Sequence, residues 1–471
     1  MVMTEENRWR DLFSSKNAPS AIALSLGVGL MAVNTLIAIT ILPSVVKDIG
    51  GLNLYAWNTT LFVVASIIGS ILSARLLSTS GARNAYLVAA LVFFIGSLFC
   101  TFAPTMEIML IGRAIQGLGG GFLFALSYSM INLVFAQSLW PRAMALISGV
   151  WGVSTLIGPA IGGIFAEMNV WRYAFGIMLP ITLLYALFTY RILPQKQVEN
   201  TTKTALPAVQ LILLSASVLA VSSGSLSQDV RINILGIVTA VILVSLLVIY
   251  EPRTSAKLFP KNALSWHSPH LILFATISLL VIGLAGDVFV PYFLQILHGQ
   301  SPLVSGYMVA TAAIGWTIGE MLSASWQGEK IRFAIVSGPA FMFIGMLILL
   351  VMLPCQSAGE WQIILPIIFG LGLFGFGVGF GWPHLLTRIL QVSSDTDKNI
   401  VGSSITTVQL FSTAFGSALA GMVTNIFGFY QPGGIEGAVS SSHWLFLLFS
   451  IAPILALLTA WKSARITVEQ S

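Results

Sequence analysis

Runs of about twenty apolar residues recur along the whole chain, and each is long enough to cross roughly 30 Å of hydrocarbon as a helix. Of the 471 residues, 56% are hydrophobic and only 8% are charged, against about a quarter charged in an ordinary soluble protein. Such a balance cannot cover a water-exposed surface, so the chain reads as an all-α polytopic membrane protein. A β-barrel would need shorter segments of alternating polarity, because its strands face lipid on one side and lumen on the other. The sequence has none.

Apolar runs bounded by charge, Pro or Gly predict fourteen spans, over 20–43, 54–77, 84–104, 107–134, 143–168, 173–193, 206–224, 232–250, 270–294, 304–325, 333–353, 361–386, 399–426 and 443–461. An even number returns both termini to one side. With the termini inside, eighteen Lys and Arg fall on inner segments and only Lys47, Arg172 and Arg231 on outer ones. That bias is the positive-inside rule, so both termini are expected in the cytoplasm of a cell with a plasma or bacterial inner membrane. The formal charge of +5 thus reports orientation, and no nucleic-acid partner is expected. The remaining basic residue, Arg113, lies inside span four. Cys100 and Cys355 make neither a disulfide framework nor a metal cluster; both fall near outer helix ends, where a bridge between them is conceivable. Residues 1–19 read as a retained cytoplasmic arm, since no small-residue cleavage site follows a short apolar core.

The longest polar inner segments, 194–205 and 251–269, bracket spans seven and eight. Setting that pair aside leaves six helices on each side: a first bundle over 20–195, an inserted two-helix hairpin with its linkers over 196–255, and a second bundle over 256–471. Paired bundles are how secondary transporters build two faces around a central site.

Within span four, "GRAIQGLGGG" places Arg113 and Gln116 three apart on one helix face. An Arg deep in a span costs about 3 kcal/mol on insertion scales, so it is expected to face protein interior or a wet cavity; the competing reading is that it snorkels towards headgroups. Gly117, Gly121, Ala125 and Ser129 form a small-residue stripe that admits close approach of another helix. Span five repeats the device with Ser154, Gly158, Gly162 and Ala166. Pro159 beside Gly158 frees a backbone carbonyl and can bend the helix.

These two motifs, in this order, resemble the major facilitator superfamily. "LIGRAIQGLGGG" is similar to its fourth-helix Arg-x-x-Gln-Gly signature, and "GVSTLIGPAIGG", ending at Gly163, to the fifth-helix Gly-Pro-x-x-Gly-Gly signature of antiporters. "WRYAF" (171–175) and "PYFLQILHGQSPLVSGY" (291–307) resemble stretches of the fourteen-helix drug:proton antiporters, and the likeness runs from span one through span fourteen. It implies a major facilitator fold of two six-helix bundles plus an inserted hairpin, without a cofactor or metal. The family's loop between helices two and three is matched by Leu76, Gly81 and Arg83, but Ala74 and Ser78 stand where it has a Gly and an Asp. Asn34 stands where the first helix usually carries an acid.

Only Asp287 and Glu320 are acids well inside predicted spans. An ionised carboxylate is expensive in a low-dielectric site, so burial favours the neutral form and suits such a group to proton exchange. Asp287, Glu320 and Arg113 are the candidate proton-coupling residues. The structural alternatives are an amide or basic partner for Asp287, and Lys330 or Arg332 for Glu320. Candidate substrate-binding residues are Asn34, Trp57, Asn58, Gln116, Trp151, Tyr292, Gln295, Trp316, Trp382 and Gln409. Aromatics with a few amides suit a large amphipathic ligand, although lipid contact or helix packing is the plainer role for each ring. Span twelve alternates Gly with bulky residues from Gly370 to Gly381; gating and close static packing both explain it.

The expected activity is proton-coupled secondary export of amphipathic organic compounds, as in multidrug efflux by alternating access, by a monomer in a lipid bilayer. No phosphate-cradling Gly-x-x-x-x-Gly-Lys loop is present, so ATP is not the expected energy source. The alternatives are export of a lipid, siderophore or other organic anion on the same fold, and a polytopic membrane enzyme or non-transporting sensor. His267 and His270 are the only close histidine pair an enzyme could draw on.

Overall fold

The computed structural model describes residues 9–193, 195, 206–393 and 397–466, and among them all regular structure is helical. Arg8, the whole 196–205 linker with Lys196 and Lys203 of the inner basic set, and the first residues of the arm lie outside the described residues. The helices are α1 (Trp9–Leu12), α2 (Ala18–Ile49), α3 (Trp57–Thr101), α4 (Met106–Val134), α5 (Trp140–Glu167), α6 (Arg172–Gly176), α7 (Met178–Ile192), α8 (Ala208–Gly224) and α9 (Val230–Tyr250). There follow α10 (Pro269–Leu284), α11 (Val290–His298), α12 (Pro302–Ser323), α13 (Glu329–Met352), α14 (Trp361–Gln391), α15 (Lys398–Ile426), α16 (Gly434–Phe449) and α17 (Ile451–Ser463). Among the described residues, ten segments are long and apolar enough to cross a membrane.

Local chemistry sets several boundaries. Pro302 opens α12, and the Ser301 hydroxyl accepts from the Val304 N–H at 3.3 Å, satisfying one of the amides a helix start leaves over. Asp229 caps α9 in the same way through the Arg231 N–H. The second and third spans expected from sequence form the two halves of α3, two helices that meet at a kink at Gly81, whose φ of 73° and ψ of 167° are non-helical. Only glycine adopts that conformation readily. Arg83, just beyond, donates to the Leu193 carbonyl at 2.9 Å and lies over the Tyr190 ring, closing the last turn of α7.

Two compact units divide the chain: Met1–Ala38 with Ala65–Leu206, and Ile39–Val64 with Pro207–Ser471. In the first, α4 packs on both halves of α3. A Cβ on Gly121 would overlap the Ser66 carbonyl, and one on Gly119 would overlap Phe93. The Ser66 hydroxyl donates to the Gly117 carbonyl at 3.0 Å. In the second unit, α14 is wedged between α12 and α13. Cβ atoms on Gly375 and Gly379 would run into the Ala312 and Trp316 carbonyls of α12, and one on Gly377 into Met342 of α13. The glycine alternation of span twelve therefore serves close packing on two sides. The hairpin helices α8 and α9 pack on each other, and α8 also packs on α15. Buried Glu251, just after α9, accepts from the Leu258 and Phe259 N–H groups at 2.7 and 2.9 Å and from Gln210 of α8 at 3.1 Å.

Candidate functional site

In the first unit, the α4 helix brings Arg113 and Gln116 onto one face, as their spacing requires. Both are buried, at 1% and 0% exposure, so Arg113 does not snorkel to the surface. Its Nη1 donates to Gln116 Oε1 at 2.6 Å, Gln116 Nε2 donates to Ser97 Oγ at 2.9 Å, and Ser97 donates to the Phe93 carbonyl at 2.9 Å. A buried guanidinium needs its donors matched. Gln116 carries that task here through an acceptor at one end and a donor at the other. Gly96 makes room for it, since a Cβ there would overlap the Gln116 backbone.

The fifth-helix motif forms the buried face of α5: Ser154, Gly158, Pro159, Gly162, Gly163 and Ala166 are buried, while Val153, Leu156, Ile157 and Ile164 are exposed. A Cβ on Gly158 would overlap Leu36 of α2. Two residues earlier on α2, Asn34 is fully buried, and neither end of its amide has a hydrogen-bond partner. Trp151 is half-buried. Cys100 is buried and Cys355 exposed, and both are free thiols.

In the second unit the ninth predicted span is not one helix. A 3-10 segment, Ala285–Phe289, separates α10 from α11, and Asp287 sits in its middle. The cause is four residues ahead. Pro291 has no N–H to offer the Asp287 carbonyl, which takes the Val290 N–H in the tighter 3-10 pattern instead. Tyr292, one turn on, joins a cluster of rings: its centroid is 4.7 Å from Phe429 and 5.9 Å from Tyr55, and Tyr55 stacks on Phe289 at 5.0 Å. Gln295 is half-buried, with its Nε2 unpartnered.

Glu320 lies on α12 one helical turn from Trp316. Trp316 meets Trp382 of α14 edge-on at 4.8 Å. His384, two residues beyond Trp382, reaches the Ser323 carbonyl at the end of α12 at 3.0 Å. Glu320, Trp316, Trp382 and His384 thus gather along one helix pair. Trp57 is half-buried with its indole N–H unpartnered, Asn58 is buried, and Gln409 is half-buried on α15. His270 bonds Ser393 at 2.8 Å.

Sequence reasoning missed Tyr55, Phe289, Phe429, His384 and Asn425. Tyr55 and Phe429 lie between helices, where helical spacing carries no signal. His384 follows a Pro and a Trp in a glycine-rich run, and its role depends on which helix stands opposite.

Comparison with known proteins gives a consistent assignment. The family model described as Major Facilitator Superfamily matches residues 24–387. A probable multidrug-efflux transporter of Mycobacterium tuberculosis (strain H37Rv) is 35% identical over 465 residues, covering 96% of each chain. Multidrug resistance protein 3 of Bacillus subtilis is 29% identical, covering 86% of this chain and 79% of its own. Among solved structures, a bacterial homologue of the human lysosomal transporter Spinster aligns with a TM-score of 0.65 at 13% identity, covering 96% of this chain and 98% of that one. A D-xylose-proton symporter aligns with the same TM-score at 14% identity, covering 95% and 98%. These likenesses show the fold. A model match over most of the chain and a relative above 30% identity along nearly its full length show the family, and with it a multi-pass membrane transporter and not an enzyme: the chain belongs to the Major Facilitator Superfamily.

Proposed function

We propose that the protein is a proton-coupled exporter of amphipathic organic compounds, a multidrug antiporter of the fourteen-helix kind, working as a monomer by alternating access. The helical break that carries Asp287 supports this reading most directly. Transporters interrupt helices where a substrate or coupling ion must be met, and an acid in such a break can exchange a proton without disturbing an intact helix. Glu320, one helical turn from Trp316 on α12, is the second proton-handling candidate. Arg113, held by Gln116, supplies a fixed cation in the first bundle.

The relatives named as efflux transporters support the direction and breadth of transport. Fourteen spans follow if the 50-residue segment Leu52–Thr101 crosses twice around Gly81 and if Ala208–Gly224, α12 and α15 are added to the remaining candidates. The bundles would then be 20–195 and 256–471, with the hairpin in 196–255, both termini cytoplasmic and the α2–α3 turn outside. Substrate would meet Asn34, Trp57, Asn58, Trp151, Tyr292, Gln295, Trp316, Trp382 and Gln409; the unpartnered amides of Asn34 and Gln295 are the ones a ligand group would satisfy.

The test is purified protein in liposomes with an imposed pH gradient and a panel of cationic dyes and anionic amphiphiles. The wild type is expected to move cationic dyes against proton flow, and Asp287→Asn to abolish this while leaving dye binding. Unchanged dye-induced proton flux in Asp287→Asn refutes the role of Asp287. Flux of anionic amphiphiles alone refutes broad multidrug export and selects the alternative, export of an organic anion on the same fold.

A further inference from the structure

The turn between α2 and α3 belongs to the second unit, which grips it at three points. Asn425, near the end of α15 and 4% exposed, donates from its amide nitrogen to the Asn53 carbonyl and to the Ser225 carbonyl, each at 3.1 Å. Ser225 opens the turn of the α8–α9 hairpin. The hairpin returns a bond of its own, from Gln228 Nε2 to the Asn425 carbonyl at 3.4 Å. Next to these bonds, Gly421 leaves space for the Ala56 methyl, since a Cβ on Gly421 would stand 2.5 Å from it. Tyr55, 1% exposed, fills the gap among Phe289, Tyr292 and Phe429. Its ring therefore lies against the last residue of the 3-10 segment that carries Asp287.

Two features bear on how firmly this arrangement is held. The Tyr55 hydroxyl and the Trp57 indole N–H are without hydrogen-bond partners, and unpaired polar groups away from water oppose the state that buries them. The contacts that hold the turn against this opposition are few and specific: one shared amide and one aromatic socket. Because one nitrogen serves two carbonyls, the hairpin turn and the α2–α3 turn stabilise each other's position, and the coupling is reciprocal.

We propose that the α8–α9 hairpin is a clasp. Through Asn425 it holds the α2–α3 turn so that Tyr55 plugs the outer approach to Asp287, and release of the Asn425 bonds frees the turn for the open state. The clasp rests on the transport reading for its consequence, and on the Asn425 geometry for its existence. Two measurements separate these. In the first, amide hydrogen exchange compares wild type with Asn425→Ala. Exchange over residues 52–60 and 223–230 is expected to rise at least tenfold, while residues 84–101 stay unchanged and report an intact fold; unchanged exchange at the α2–α3 turn overturns the clasp. In the second, Asn53→Cys and Ser225→Cys are combined in a Cys355→Ser background, so native Asn425 is kept and nothing depends on Asn425→Ala folding. Oxidation is expected to cross-link the two turns and lower export at least tenfold, with recovery on reduction. Failure to cross-link, or full export by the cross-linked protein, overturns the clasp. A wild type that moves no compound overturns the transport reading alone, and the exchange measurement still decides whether the two turns are coupled.

Discussion

Replacing Gly375 by Ala tests whether α14 is packed to the limit of its backbone. The added carbon would stand 2.9 Å from the Ala312 Cα and closer still to the Ala312 carbonyl, whereas ordinary carbon contact is about 3.5–4.0 Å. The α12 and α14 backbones must therefore part by roughly 1 Å. Overpacking of this kind costs about 1–3 kcal/mol. Gly372 is the control on the same helix, because a Cβ there meets nothing within 4 Å. At that position Ala gains about 0.5–1 kcal/mol from the lower backbone entropy of the unfolded chain. The two variants should thus differ by about 1.5–4 kcal/mol, at least tenfold in the unfolding equilibrium. Unfolding in mixed micelles, followed by tryptophan fluorescence, measures the difference. Equal stability of Gly375→Ala and Gly372→Ala would refute the close-packing account and return the glycines to a gating role.

Other perturbations follow from single contacts. Arg83→Ala removes the donor that closes α7 at Leu193; a loss of about 0.5–1 kcal/mol should speed amide exchange at residues 189–193 about two- to fivefold. Glu251→Ala strands the Leu258 and Phe259 N–H groups at about 1–3 kcal/mol each, and should lower the thermal midpoint more than Glu251→Gln, which keeps an acceptor oxygen. Gln116→Leu takes a neutral acceptor from Arg113 and should cost about 1.5–3 kcal/mol, measurable by thermal unfolding, whereas Gln116→Glu keeps the acceptor and should cost less.

The elements most legible in the sequence were those whose signal is local. Apolar run length foretold helices throughout, and small-residue spacing marked Gly121 and Gly158 as points of backbone contact. The Arg113–Gln116 pair was legible because three residues on a helix face is a fixed geometry. Its burial was the expected reading, from the cost of an exposed charge in a span, whereas the roles of Ser97 and Gly96 were not legible, since they come from another part of the chain. The break at Ala285–Phe289 had a signal that apolar continuity masked: Pro291 stands four residues after Asp287, where a helical amide would be needed. The join between the second and third predicted spans was legible, because "STSGAR" is polar and glycine-bearing and the two helices meet in a kink at its Gly81. The backbone is helical on either side of that one residue. Tyr55 and Asn425 were beyond reach, since their partners lie hundreds of residues away and follow no periodicity.

That single residue has a mechanical consequence. A connection made of extended chain would give two helices many soft torsions and a site for proteases. Gly81 gives them two torsions and no exposed strand. Any change of angle between the flanking halves of α3 must pass through its φ and ψ, and the left-handed, extended combination it holds is closed to every other residue type without strain. The joint is thus narrow as well as stiff, and the chain remains continuous helix up to it from both sides.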